Sequence, residues 1–135
     1  MLEGYSTEIA VETNSAIPFN NVTISKGVTA VFAGPATIQF NKCGVYSVHF
    51  SGSASPTTEG DVSVQLSKNG VLQPQALSTF TGTVGDSSTL EFNTLVQVKE
   101  NNTNCCCSSP TIIQCINTGE ASNYTIAKID VTKIC

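Results

Sequence analysis

A two-residue alternation of apolar and polar side chains is the feature that most constrains the fold of this 135-residue chain. In the run from Gly44 to Ser53, Tyr46, Val48 and Phe50 are each followed by a Ser or a His. A period of two places successive side chains on opposite faces of a β-strand, so one face is apolar and the other is polar. No stretch keeps the spacing of three and four residues that indicates an amphipathic helix. The pattern therefore predicts an all-β protein.

Similar β-rich runs cover much of the chain, over residues 16–24, 28–32, 36–40, 62–67, 90–98, 111–116 and 124–134. The strongest turn signal between them is Asn69-Gly70, because both residues tolerate the positive φ of a type I′ turn. This signal predicts a hairpin from Asp61 to about Leu77. About eight to ten strands at this spacing predict an antiparallel two-sheet sandwich or a barrel.

The length fits one domain with a core of its own. We expect this domain to span residues 16–135, whereas residues 1–15 are the least patterned segment and are predicted to form an arm or an edge strand. The apolar positions of the two clearest strands are the candidate sheet core. They are Tyr46, Val48, Phe50, Leu90, Phe92 and Val96.

Charge and hydropathy exclude two classes of partner. The net charge is −4 and the six Lys and Arg residues are scattered, whereas phosphate binding needs grouped cations, so we expect no nucleic-acid partner. No apolar run approaches the ~18 residues that span a bilayer, so we expect no membrane insertion. The first residues also lack the basic-then-apolar order of a signal peptide. Synthesis in a cytoplasm followed by release through lysis would reconcile this start with a cysteine-rich chain.

The residues that could carry chemistry are sparse. His49 is the single histidine and lies on the polar face of its strand, and the G-x-S-x-G and H-E-x-x-H motifs are absent, so we expect neither an enzyme nor a cofactor. If His49 faced a symmetry axis, its protonation would make copies repel one another. Two short acidic motifs, Glu59-Gly-Asp61 and Gly85-Asp86-Ser87, could supply oxygens to calcium, but neither has regular ligand spacing.

Six cysteines leave several alternatives open: Cys43, Cys105, Cys106, Cys107, Cys115 and Cys135. A structural zinc site needs two ligand pairs, and a redox site needs C-x-x-C before a helix, and the run C-C-C matches neither pattern. We predict a staple that joins one or two cysteines of the run to Cys115, Cys43 or Cys135. Covalent links between subunits, or a metal shared around a symmetry axis, are the next alternatives.

Two strand motifs carry a family resemblance. The run C-G-V-Y-S-V-H-F from Cys43 to Phe50 resembles the G-x-Y-x-V-x-F strand of tumour necrosis factor-like and complement-head-like jelly rolls. The run V-S-V-Q-L-S-K-N-G from Val62 to Gly70 is similar to the strand that ends in an N-G hairpin in that superfamily. The chain is especially similar to short cysteine-bearing members in phages of gut Firmicutes and in spore-surface glycoproteins. There, Ile17-Pro-Phe19 would match an early strand, and C-C-C-S-S-P with residues 127–133 would match the end of the domain.

This resemblance implies a ten-stranded jelly roll that forms a homotrimer, with the six core candidates also candidates for the trimer core. Members act as receptor ligands, spore-surface knobs or virion decorations rather than as enzymes. The absence of a Gly-x-y stalk favours a capsid decoration, a head-fibre knob or a tail-fibre knob on a virion surface. We expect such a protein to be bound to a capsid or tail protein and to take host or mucosal glycans as its ligand. The alternative is a carbohydrate- or receptor-binding module of a bacterial or spore surface protein. For glycan stacking, however, the chain has no Trp and only Tyr5, Tyr46 and Tyr124.

Overall fold

The computed structural model describes residues 1–26, 30–98 and 111–134, and the regular elements in these ranges are eleven β-strands. The strands are β1 (Leu2–Val11), β2 (Ser15–Ala16), β3 (Asn21–Ser25), β4 (Ala30–Phe32), β5 (Ile38–Phe40), β6 (Gly44–Pro56), β7 (Gly60–Lys68), β8 (Val71–Gly82), β9 (Ser88–Val98), β10 (Thr111–Asn117) and β11 (Ser122–Lys133). Within these ranges, no helix has the length and apolar character to cross a membrane.

The strands form two antiparallel sheets that pack face to face. The five-stranded sheet has the order β3-β1-β11-β6-β9, and the six-stranded sheet contains β4-β5-β10-β7-β8 with β2 paired to β10. The predicted all-β, two-sheet jelly-roll sandwich is confirmed. Most sheet neighbours are distant in sequence, such as β1 beside β11, whereas β4–β5 and β7–β8 are consecutive, so the fold depends largely on long-range pairing.

The core lies between the sheets, where the inward faces of the alternating strands meet. All six candidate core residues are buried there, and none is more than 6% exposed. The Phe50 and Phe92 rings stack with centroids 5.5 Å apart, and Phe40 packs on Tyr46 at 4.2 Å. Because this burial occurs inside a single chain, these side chains form the core of the sandwich rather than an interface between copies.

The N-terminal segment differs from the expected arm or edge strand. β1 lies inside the five-stranded sheet, paired with β3 on one side and with β11 on the other. Its inward positions are Leu2, Gly4 and Ser6, all buried. A Cβ on Gly4 would lie 2.6 Å from Cζ of Phe32, so the glycine leaves room for that ring. The Ser6 hydroxyl donates to the Pro18 carbonyl at 2.7 Å and accepts from the Asn20 N–H.

The predicted hairpin at Asn69-Gly70 is confirmed. Both residues have positive φ, 53° and 84°, and the flanking Lys68 and Val71 are paired. Positive φ at both central residues is the geometry of a type I′ turn, which matches the twist of the two strands. The turn therefore fixes the register of the two nearest pairs, Lys68 with Val71 and Ser67 with Leu72, and a bulge between Gln65 and Ser67 shifts it beyond them.

A buried amide joins three segments at one end of the sandwich. Asn117 is completely buried, and its Nδ2 donates to the carbonyls of Val11, Glu12 and Glu120 at 3.0–3.3 Å. Its Oδ1 accepts a hydrogen bond from the Tyr124 hydroxyl at 3.3 Å. Burial, and then the nearby Cys115 thiol, raise the pKa of Tyr124, so this hydroxyl keeps its proton. The end of β1 and the β10–β11 loop are thereby held together by one side chain.

The β10–β11 loop also lies directly against the start of β7. The N–H groups of Thr118 and Glu120 donate to the carbonyls of Ser63 and Asp61, at 2.9 and 2.8 Å. A Cβ on Gly119, between them, would overlap the Asp61 carbonyl oxygen and would lie 2.7 Å from the Ser63 nitrogen. The loop can approach the strand this closely only because residue 119 has no side chain.

Candidate functional site

Strands β8 and β9 are each one of the two edge strands of their sheet, and they lie on the same side of the sandwich. The Glu91 N–H on β9 donates to the Ser78 hydroxyl on β8 at 3.1 Å, which holds the two edges together. Large apolar side chains are exposed along this side and define what we call the apolar edge: Val71, Leu72, Leu77 and Leu95, between 44% and 64% exposed. Exposed apolar side chains on unpaired edge strands mark a site of contact with another chain.

A groove of about 540 Å³ runs beside the apolar edge. It is lined by Ser47, Gln75, Asn93, Thr94 and Leu95. Hydroxyl and amide groups therefore surround the exposed Leu95 side chain. A groove of this composition can receive an apolar side chain and satisfy the polar groups around it.

The outer face of the five-stranded sheet, next to this groove, is built from small side chains. Strand β6 places Ser47, Ser51, Ser53 and Ser55 on this face, all of them half-buried. The neighbouring strand β11 adds Ile126, which is 41% exposed. Small side chains on the central part of a sheet leave a shallow surface that another protein can approach closely.

Charged side chains cross the same outer face in a row that includes the histidine expected there. His49 on β6 lies between two carboxylates, with its Nε2 3.3 Å from Glu91 Oε1 and its Nδ1 3.7 Å from Asp130 Oδ2. Lys128 Nζ lies 3.8 Å from Glu3 Oε2 and 3.9 Å from Asp130 Oδ2. A protonated His49 would therefore be attracted to carboxylates of its own chain, which offsets the repulsion expected between copies.

Glu3 and Asp130 interact closely on adjacent strands. Hydrogen bonding with Asp130 raises the pKa of the Glu3 carboxyl above its ordinary value of 4.5, and desolvation and the Asp130 charge act in the same direction. Lys128 lowers the pKa of Glu3 but does not cancel the increase. The Asp130 Oδ1 atom is buried without a hydrogen-bond partner in the part of the chain that the structure describes. The neighbouring Asp130 therefore favours the protonated form of the Glu3 carboxyl.

We expect Glu3→Gln to make stability less sensitive to pH on the acid side. A raised pKa means that folded Glu3 holds its proton more tightly than the unfolded chain does, so its contribution is fully present below pH 4.5 and is lost as the pH rises through the folded value. Urea midpoints measured from pH 4.5 upward should fall less in the variant than in the wild type. Glu12→Gln, at an exposed carboxylate, is the control. If the urea midpoints of all three proteins changed in parallel with pH, the raised pKa of Glu3 would be contradicted.

The cysteines are only partly covered by the described residues. Cys115 is a free thiol and is completely buried, and this burial raises the pKa of the thiol. The prediction that Cys115 could be a partner in the staple is therefore wrong. The reason is its inward position on β10, opposite Leu66 of β7. Cys43 is half-buried and packs against the core. Cys105, Cys106, Cys107 and Cys135 lie outside the described residues, so a staple that involves them stays a prediction.

The structure places the tyrosines considered for glycan stacking and the two acidic motifs considered for calcium binding. Tyr46 and Tyr124 are core residues and Tyr5 is half-buried, so the tyrosines form no open stacking surface. Glu59 and Asp86, from the two acidic motifs, line one cavity. Across residues 1–26, 30–98 and 111–134, no group of three or more His, Cys, Asp or Glu side chains could hold a metal ion.

No protein-family model and no curated protein matches the chain. Solved structures are similar in fold. The globular domain of a zebrafish complement 1qA protein superposes with a TM-score of 0.66 at 11% identity, over 99% of this chain and 96% of that one. The Eiger TNF of S. frugiperda superposes at 0.71 with 8% identity, covering 99% and 92%. The PRD1 vertex protein superposes at 0.60 with 15% identity, covering 99% and 96%. The chain therefore has the tumour necrosis factor-like and complement-head-like jelly-roll fold.

Proposed function

We propose that this chain is a non-enzymatic surface protein of a phage virion that assembles as a homotrimer and binds host or mucosal glycans. The observation that carries the proposal is the apolar edge beside an outer sheet face of small side chains. The exposed Leu95 of the edge belongs to the last strand of the five-stranded sheet, whereas Ile126 lies two strands away on the same face, on β11. Each copy can therefore offer its edge to the face of the next copy.

Such an edge-to-face contact is heterologous, because the two surfaces that meet are different. A heterologous contact rotates each copy relative to the previous one, and a ring closes when a whole number of these rotations makes 360°. A rotation of 120° closes a trimer. In this arrangement Leu95 of one copy packs against Ile126 and the β6 serines of the next. Burial of these exposed apolar side chains supplies the driving force for association.

The virion location is supported by one comparison. The chain superposes over almost its whole length with the PRD1 vertex protein, which belongs to a phage. A protein of this kind would be assembled in the cytoplasm of the host bacterium, be released by lysis and attach to a capsid or tail protein.

We expect Leu95→Glu to weaken self-association by about 30-fold or more, because a charge would replace an apolar side chain at the centre of the contact. Light scattering across a dilution series measures the effect as a shift from trimer to monomer. Val84→Glu is the matched control, since Val84 is 64% exposed but lies in the β8–β9 loop, away from the apolar edge. A wild-type monomer at micromolar concentration, or an equal effect of both variants, would contradict the trimer contact.

The virion assignment has a separate test. Peptides of this chain should be found by mass spectrometry in gradient-purified particles, in constant ratio to the capsid protein. Their absence from the particles, together with their presence on a bacterial or spore surface, would favour the alternative, a carbohydrate- or receptor-binding module of such a surface.

A further inference from the structure

A cavity of about 200 Å³ lies at the end of the sandwich where the β6–β7 and β8–β9 loops meet. It opens between the two sheets, with β8 on one side and the first residue of β9, Ser88, on the other. Its volume is below the roughly 300–1,000 Å³ of pockets that hold drug-sized ligands. The cavity therefore suits a single small ring.

One wall of the cavity is aromatic. Phe80 is half-buried near the end of β8 and packs against the core from there. Gly82 lies two residues further on the same face of the strand, and a Cβ at Gly82 would lie 2.8 Å from Cε2 of Phe80. The missing side chain thus leaves room for the ring and keeps the cavity open beside it.

The opposite lining is polar and acidic. The Thr83 hydroxyl donates to Asp86 Oδ2 at 2.7 Å, and the Asp86 N–H donates to the Thr83 carbonyl at 3.1 Å. These bonds fix the Asp86 carboxylate and leave its second oxygen able to accept from a ligand. Glu59 reaches the cavity from the β6–β7 turn, and the hydroxyl of Ser88 can both donate and accept.

We propose that this cavity binds one uncharged sugar ring of a glycan. A pyranose has an apolar face of C–H groups that packs on an aromatic ring such as Phe80. Its adjacent hydroxyls donate to carboxylates such as Glu59 and Asp86, and they accept from serine and threonine hydroxyls. No Lys or Arg is among the described residues that line the cavity, so the two carboxylates repel sugars that carry a carboxylate of their own.

The inference rests on the proposed function for the ligand class, but it requires neither a trimer nor a virion. Phe80 is also the aromatic residue that sequence reasoning missed, because alternation alone assigns it to the core. Phe80 can contact a ligand because it lies near the end of β8 and because Gly82 has no side chain to cover it. The fold then brings Glu59 of the β6–β7 loop to the same cavity.

The test is an NMR titration of the full chain, run with and without EDTA. The probes are the methyl glycosides of glucose, galactose, mannose and N-acetylglucosamine, compared with those of glucuronic acid and sialic acid. We expect saturable shifts of the Phe80 ring and the Gly82 and Asp86 amides with at least one uncharged sugar, and none with the acidic sugars. Absence of shifts with every uncharged sugar, equal binding of acidic sugars, or loss of binding in EDTA would overturn the proposal.

Variants locate the site. Phe80→Leu retains an apolar side chain for the core but lacks the aromatic face, and Asp86→Asn removes the charge in place. Each should weaken sugar binding about tenfold or more, whereas Glu12→Gln, at an exposed carboxylate elsewhere, should leave it unchanged. Unchanged binding in the first two variants would overturn the site. A trimer that binds no sugar would overturn this inference alone, and a monomer that binds sugar would overturn only the trimer.

Discussion

Replacing Gly119 with alanine is expected to remove about 3–5 kcal/mol from the free energy of unfolding, a large part of the total for a domain of this size. The new Cβ would overlap the backbone of Asp61 and Ser63 on β7. Relief requires the loop to move away, which breaks the hydrogen bonds from Thr118 and Glu120 to that strand. All three nearest atoms that the Cβ meets belong to the backbone, so no side-chain rotation can remove the overlap.

Chemical denaturation at neutral pH measures this loss, with Gly85→Ala as the matched control. Gly85 has a φ of 90° and open space around its Cα, so alanine there costs only the conformational penalty, about 1 kcal/mol. The comparison separates steric overlap from backbone strain. Equal losses in the two variants would show that the β10–β11 loop does not lie against β7 as described.

The second large effect is expected at Asn117, where alanine should cost about 3 kcal/mol. The substitution removes the amide donor from the carbonyls of Val11, Glu12 and Glu120 and the acceptor of the Tyr124 hydroxyl. The Glu12 and Glu120 carbonyls keep a second donor each, the Ser15 N–H and the Ser122 hydroxyl. Unsatisfied buried polar groups lose the full free energy of their desolvation, about 1–3 kcal/mol each, although some regain water when the loop relaxes. Unfolding by urea, followed by circular dichroism, measures the difference.

Two neighbouring substitutions calibrate this result. Tyr124→Phe removes one hydrogen bond of the same group and should cost about 1 kcal/mol. Asn123→Ala changes an exposed amide on β11 and should fall within about 0.5 kcal/mol of the wild type. A loss at Asn117 no larger than that of Tyr124→Phe would mean that the amide does not hold the two loops together.

The strands with large apolar residues at inward positions could be predicted from sequence. Leu90, Phe92 and Val96 alternate with polar residues, and the structure buries each of them. The interior place of β1 could not be predicted, because two of its inward positions carry Gly4 and Ser6, which have little or no apolar side chain to signal burial. Their fit depends on Phe32 and Pro18, which are far away in sequence.

The candidate site could be predicted only in part, for a related reason. The alternation around His49 correctly predicts its polar face, since that depends on the local period of two. The carboxylates beside it come from β9 and β11, and the strand order that brings them there is a property of the whole fold. The apolar edge also depends on the whole fold. An exposed Leu95 indicates a contact surface only when β9 is known to be the last strand of its sheet.

The pairing of β1 with β11 places the two ends of the described chain at one end of the sandwich and the cavity at the other. Leu2 is paired with Val131 at one end of these strands, and Val11 is paired with Ser122 at the other end, beside Pro56 and the β6–β7 loop. The start of β1 and the end of β11 therefore lie at the pole opposite to the cavity. The 12 residues of β11 separate the two poles by roughly 40 Å at the rise of a β-strand. A particle that held this protein by a tether at its chain ends would turn the β6–β7 and β8–β9 loops outward. One pole would then serve for anchoring and the other for recognition, without any hinge between them.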